Sequence, residues 1–223
     1  MEGKYKVIFE NDNLMVIDKE AGLVVTDEGR NEKESLEKYL ADRIKLKRSG
    51  IVNRLDKGTS GLLLVAKNEE SLIELKRQFK EREVVKKYEA LCCGEVVAFG
   101  EIRVPIGRSK YAFSKFAVSE EGKESRTAFK RLSLYQATKG KLSLLEIRLY
   151  TGRTHQIRVH FNYMGWPLLG DRTYGGWEGV TLKRPFLHSK YIEFREPVSG
   201  EKLIFESPLA KDLEEELGNY EKI

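Results

Sequence analysis

The sequence predicts an α+β fold in which a mixed, mostly antiparallel β-sheet is flanked by helices, and three observations lead there. Short apolar runs rich in Val, Ile, Leu and aromatic residues recur along most of the chain, as strands require. Turn residues (Gly, Asn, Asp or Pro) separate many of them, which favours hairpins over parallel crossovers. Helical spacing of apolar residues is confined to a few stretches between the runs.

Taken in order, Lys6–Glu10 and Leu14–Asp18 flank Asn11-Asp12-Asn13 and read as a hairpin, and Ala21–Val25 reads as another short strand. Asn31 with Glu34 forms a capping pair ahead of a helix carrying Leu36, Tyr39, Leu40 and Ile44. Lys45–Ser49 is a basic connection into LLLVA, a buried strand. Asn68 caps a second helix, with Leu72, Leu75 and Phe79 on one side and Lys76, Arg77 and Lys80 on the other. Val84–Cys93 alternates, placing Tyr88, Ala90 and Cys92 on one face. Ile102–Ile106, Phe113–Val118, Arg126–Leu134 and Leu142–Tyr150 read as strands, with a turn at Glu120–Lys123 and a basic loop at Gly107–Tyr111. Thr154 caps a helix with Ile157, Phe161 and Met164 as its buried stripe, closed by Gly165, Trp166 and Pro167. Phe186–Phe194 and Lys202–Phe205 make a hairpin around Pro197–Gly200. Ser207-Pro208 opens a final helix. No internal repeat, low-complexity segment or linker interrupts this pattern, so residues 1–223 are expected to form a single compact domain.

Bulk properties narrow the function. The 223 residues include 40 Lys and Arg against 35 Asp and Glu, a net charge of +5 that permits a polyanionic partner without demanding one. Cys92 and Cys93 are adjacent, a spacing that suits neither a disulfide nor a metal site, so free thiols in a strand are expected. The N-terminal residues lack an apolar signal core, and no run is long enough to span a membrane. A cytoplasmic protein is the expectation.

Two stretches are dense in reactive side chains. Ile51–Lys67, IVNRLDKGTSGLLLVAK, is a polar turn feeding a core strand, and Asp56 is its one carboxylate, flanked by Arg54 and Lys57. Thr151–Gly165, TGRTHQIRVHFNYMG, places His155 and Arg158 off the helix stripe. His155 and His160 stand five apart and face different ways, which excludes a paired metal site. Ser60 lies in T-S-G and lacks the nucleophile-elbow pattern, and no phosphate-cradling glycine motif is present. What remains is one carboxylate with cationic partners and aromatics, which suits reaction at a glycosidic bond.

The order R-L-D-x-x-T-S-G-L-L-L-V-A-K, over Arg54 to Lys67, resembles the signature of the RluA-type family of RNA pseudouridine synthases. The resemblance extends over nearly the whole chain. It includes K-x-x-G at Lys19–Gly22, K-x-Y-x-A-L from Lys86, G-R-T-H-Q-I-R-V-H from Gly152, G-D-x-x-Y-G from Gly170, L-H-S from Leu187 and S-P-L at Ser207. Asn53 stands where the family usually has His, and Glu20 where it has Pro. The N-terminal S4 RNA-binding module of many members is not expected here.

The resemblance implies a pseudouridine-synthase-type fold with a central cleft, acting on uridine in structured tRNA or rRNA, with no cofactor and no metal. Asp56 is implied as the catalytic group, as nucleophile or as base. Tyr88 stacks on the uracil, and Arg158 pairs with Asp56 to keep it ionised. Arg54 is implied to enter the space vacated by the base, Arg153 to contact phosphate or the cleft, and Leu187 to pack against the base. A fold-retaining RNA-binding protein without the chemistry is one alternative. A glycosidase is another, which needs a second acid that only Glu89 or Asp171 offers.

Overall fold

The computed structural model describes residues 4–27, 34–110, 112, 115–177 and 180–223. In chain order the first elements are β1 (Tyr5–Glu10), β2 (Leu14–Lys19), α1 (Leu36–Leu40), a tight turn at Lys47–Gly50, β3 (Ser60–Ala66), α2 (Glu69–Lys80) and β4 (Val85–Cys93). Then come β5 (Phe99–Ile102), β6 (Ile106–Arg108), β7 (Phe116–Val118), β8 (Thr127–Ala137), β9 (Gly140–Leu149) and α3 (Gln156–Tyr163). The last are β10 (Leu187–Arg195), β11 (Lys202–Glu206), α4 (Lys211–Leu217) and β12 (Glu221–Lys222). The fold is α+β, with a mostly antiparallel sheet and four α-helices among the described residues. The chain divides into two compact units, Met1–Val85 with Ser189–Pro208, and Lys86–His188 with Leu209–Ile223.

In the first unit β1, β2 and β3 form an antiparallel meander, with Leu14 opposite Ala66 and Lys19 opposite Gly61. All seven residues of β3 are buried. Leu62, Leu64 and Ala66 pack with Leu14 and Val16 of β2, Leu72 and Leu75 of α2, and Ile192 and Phe194 of β10. Asn68 caps α2 as its sequence predicts, its side chain accepting from Ser71 N at 2.9 Å. On the outer face Arg77 bonds Glu74, Glu81 and Glu83, the arrangement of a solvated surface. Gly61 has φ +106, and an added Cβ would lie 2.2 Å from Ser189 O, so this position admits glycine alone.

In the second unit β4, β9 and β8 pair antiparallel, with β5 and β12 both on β8. β6 and β7 form a separate small hairpin. α3 packs its Phe161 edge-on to Phe129 of β8, at 5.3 Å between ring centroids. Cys92 and Cys93 are free and buried, as expected.

Several boundaries differ from the sequence expectation. Ala21–Val25 is a turn with one bridge, Val24–Ser35, and no strand. Asn31 lies outside the described residues. Ser35 caps α1, which ends at Leu40 and leaves Ile44 buried in the following turn. The expected strand Ile102–Ile106 breaks into β5 and β6 at Pro105, which has no N–H to donate to a ladder. Phe113 lies outside the described residues, and β7 begins at Phe116. Thr154 does not cap α3; His155 occupies that position with φ 56 and no side-chain cap bond. Met164 is 42% exposed, so the buried face of α3 ends at Phe161. Ser207 does not cap α4, which starts at Lys211. Its hydroxyl instead donates to Asp18 at 2.5 Å, tying the end of β11 to β2.

Glu196 closes the β10–β11 hairpin. Its carboxylate accepts from Val198 N at 2.7 Å, Ser199 N at 2.6 Å and Asn13 Nδ2 at 2.8 Å. Burial opposes the charge, but these donors outweigh it and hold the carboxyl at about 2, below the ordinary 4.5. Its stabilising contribution is therefore complete above the ordinary Glu range and is lost as pH falls through that interval. Glu196→Gln is expected to lower stability to urea by about 2 kcal/mol at pH 7. The deficit should shrink as pH drops from about 4.5 to about 2. A deficit independent of pH would contradict this account.

Candidate active site

Asp56 occupies the turn between Val52 and β3, and four contacts within the first unit fix that turn. Val52 N donates to Leu64 O at 3.0 Å, and Asn53 Oδ1 accepts from Leu64 N at 2.8 Å. Thr59 N closes onto Asp56 O at 3.0 Å, and Gly22 N donates to Lys57 O at 2.7 Å. Asn53 thus serves β3 as a backbone clamp. An amide oxygen suffices for that task.

Behind the turn lies Lys19, which has no exposed surface. Its ammonium donates to Glu20 O at 2.8 Å, Leu23 O at 2.9 Å and, at the long limit of 3.5 Å, Lys57 O. A buried ammonium is tolerated only when its N–H groups are satisfied, and backbone carbonyls do this here. Lys19 therefore joins the Glu20–Leu23 turn to the turn bearing Asp56. The Glu20 N–H donates to Lys4 O at 3.0 Å. Asp56 itself is half-buried, between exposed Arg54 and Lys57 and against buried Leu55 and Thr59.

The remaining candidates lie in the second unit. Tyr88 is buried on β4 opposite Ile147 of β9. Arg158 is buried on α3 and holds Asp171 with two parallel bonds, Nε to Oδ2 at 2.7 Å and Nη2 to Oδ1 at 2.9 Å. Asp171 has no exposed surface and also accepts from Thr173 N at 3.1 Å and Tyr174 N at 3.2 Å. The Arg158 guanidinium sits 4.9 Å from the Tyr174 ring centroid. The planar fork fits one carboxylate, and the ring and loop N–H groups fix the pair's orientation. The sequence offers Asp171 as part of a motif and as a candidate second acid, and the structure makes it the buried partner of Arg158. Its place in G-D-x-x-Y-G, directly after apolar Leu168-Leu169, was the available signal of a buried carboxylate.

Arg153 is half-buried, and its Nε donates to Glu124 O at 3.1 Å. Its N–H donates to Gln156 Oε1 at 3.0 Å, which also accepts from Thr151 Oγ1 at 2.8 Å. Gln156 Nε2 donates to Thr127 Oγ1 at 2.9 Å, and that hydroxyl lies 2.9 Å from His160 Nδ1. Burial lowers the His160 pKa, which fits a neutral ring accepting from Thr127 and donating to Val104 O at 3.1 Å. His155 instead meets Tyr174 Oη through Nδ1, at 2.9 Å. The two histidines serve separate hydrogen-bond networks. Among the described residues no cluster of three or more His, Cys, Asp or Glu side chains is arranged to hold a metal ion. Leu187 is buried where β10 begins, and its carbonyl accepts from Arg184 Nη1 at 3.3 Å. Arg184 in turn forks onto Asp212 of α4. Among the described residues no helix is long and apolar enough to cross a membrane.

Comparison with known proteins bears on the same residues. A family model described as RNA pseudouridylate synthase matches residues 13–163. The ribosomal large subunit pseudouridine synthase D of Nitrosomonas europaea is 40% identical over 220 residues, covering 93% of this chain and 63% of that protein. The protein of that name in Pseudomonas aeruginosa is 36% identical over 224 residues, covering 93% and 69%. The structure of human RNA pseudouridylate synthase domain containing 1 superposes with a TM-score of 0.79 at 27% identity, over 98% of this chain and 89% of that one. Human RNA pseudouridylate synthase domain containing 4, at 22% identity and a TM-score of 0.75, shares the fold over 95% and 91%. The matched segment contains the Asp56 turn, β4 with Tyr88 and α3 with Arg158, and the chain belongs to the RNA pseudouridylate synthase family.

Proposed function

We propose that this chain, acting as one catalytic domain, isomerises uridine to pseudouridine in large-subunit ribosomal RNA, with Asp56 as the catalytic group. The observation that supports it most directly is the half-buried carboxylate on a turn pinned from behind by Lys19 and from the side by Asn53. Such a turn holds a reactive group in place without ordering it anew at each turnover. The names of the bacterial relatives favour ribosomal RNA over tRNA as the substrate. Ribosomal RNA as substrate puts the work in the cytoplasm.

The reaction breaks the bond from ribose C1′ to uracil N1 and forms one from C1′ to C5. The proton on C5 leaves and N1 gains one, so atoms and electrons balance with no co-reactant. Asp56 opens the sequence, by adding to the nucleoside or by taking a ribose proton. Tyr88 stacks on the detached base and receives the C5 proton. Arg158 keeps the reacting carboxylate charged, with Asp171 fixing the direction of its guanidinium. Leu187 packs against the base, Arg54 fills the space it leaves in the RNA, and Arg153 contacts phosphate. Extracting a stacked base costs about a few kcal/mol, which phosphate contacts offset.

Release of tritium from C5-labelled ribosomal RNA measures this chemistry. Asp56→Asn is expected to lower the rate by at least ~10³-fold while RNA affinity stays within about threefold of native. Native rates in this variant would remove Asp56 from the mechanism and favour an RNA-binding role without catalysis. Tyr88→Phe should slow the step by about 10²-fold with binding retained, and an unchanged rate would take Tyr88 out of the site. Asp171→Asn removes the charge from the carboxylate that holds the buried Arg158 guanidinium with two parallel bonds. It should cost about 3 kcal/mol in denaturant unfolding, and a variant as stable as the native protein would show that the Arg158 charge is balanced elsewhere.

A further inference from the structure

The register of the second unit sorts its charges by face. Lys87, Arg148, Ala128 and Glu101 form one row across β4, β9, β8 and β5. The neighbouring row is Tyr88, Ile147, Phe129 and Gly100, so it takes the opposite face, the one that meets Phe161 of α3. Beside the charged row, Arg126 stands across from Tyr150, whose N–H donates to Arg126 O at 3.2 Å. Arg103 follows Glu101 by two residues and turns back to it.

This arrangement is more ordered than an ordinary solvated surface. Arg103 and Arg126 each direct Nε and Nη2 to the same carboxylate, Glu101. Those two guanidinia hold Glu101 at about 2, so it stays charged and keeps its grip. Arg126 and Arg148 both lie over the Tyr150 ring, at 3.9 and 4.9 Å from its centroid, which puts the two cations within 9 Å of each other. Arg148 has no carboxylate partner among the described residues, although acidic residues are plentiful on this sheet. Two guanidinia thus share one carboxylate while a third beside them has none, and the excess positive charge is held by rigid contacts on an exposed face. A guanidinium fixed in this way loses little freedom on meeting an anion and presents paired N–H groups to phosphate oxygens.

We propose that Arg103, Arg126 and Arg148, assembled on Tyr150, form a docking surface for the phosphate backbone of RNA on the sheet face opposite Tyr88. The choice of RNA as the polyanion rests on the function proposed above. The surface itself rests on the charge arrangement. Because it faces away from Tyr88, it contributes to holding the RNA and leaves the chemical step alone.

The test pairs Arg103→Gln/Arg148→Gln with a control of equal charge loss in the first unit, Arg43→Gln/Lys202→Gln. Filter binding of a large-subunit ribosomal RNA transcript is measured over a series of salt concentrations, beside tritium release at saturating enzyme. The surface variant is expected to bind about tenfold more weakly, with a salt slope shallower by about 1.5, as the loss of two phosphate contacts requires. Its saturated rate should equal the native rate, and the control should bind within about twofold of native. Equal binding by the two variants would overturn the surface, whatever the rates. Loss of binding in the surface variant alone, with no tritium release from any protein, would leave the surface standing and remove the isomerase reading.

Discussion

The first unit depends on a positive charge with no access to water. Lys19 brings an ammonium into the interior, and the interior tolerates it because backbone carbonyls from two separate turns accept its protons. The interaction acts in both directions. The carbonyls make the buried charge tolerable, and the charge draws the Glu20–Leu23 turn and the turn bearing Asp56 to one point. Asn53 and Gly22 then fix the remaining freedom of that second turn against β3 and the first turn. A reactive carboxylate on a loop owes its position to the scaffold below it, and here the scaffold is a lysine at the end of β2.

The second unit solves the same problem with a buried ion pair. Arg158 and Asp171 are both removed from solvent and hold each other with two bonds. The cost of desolvation is offset by two short parallel bonds, by two loop N–H groups on Asp171 and by the Tyr174 ring beside the guanidinium. Gln156 at the start of α3 ties the helix to the chain before it, its Oε1 accepting from Arg153 N and Thr151 Oγ1 and its Nε2 donating to Arg126 O and Thr127 Oγ1. That helix begins on a left-handed His155 that makes no side-chain cap bond.

The arginines described above fall into three groups. Arg77 and its glutamates are a solvated face, which screening leaves with little energetic weight. Arg158 with Asp171, and Arg184 with Asp212, join loops to helices. The group around Glu101 and Tyr150 is exposed yet ordered, with more cations than its single acid can match.

The amino-acid order was enough to define the strands from β1 to β3, the capped helix α2, the β10–β11 hairpin and the identity of Asp56, Tyr88 and Arg158 as candidates. Each of these is announced by local information: apolar period, a capping residue, a turn signal or a motif of fixed spacing. Short elements went astray where a neighbour in space outweighed local preference, as when Ser207 bonded Asp18 instead of opening α4. The buried role of Asp171, the clamp made by Asn53, the full burial of Lys19 and the sharing of Glu101 by two arginines were decided by tertiary structure alone. All four are properties of pairs distant in sequence, and the dielectric, reach and geometry that give such pairs their energy exist only once the chain has folded.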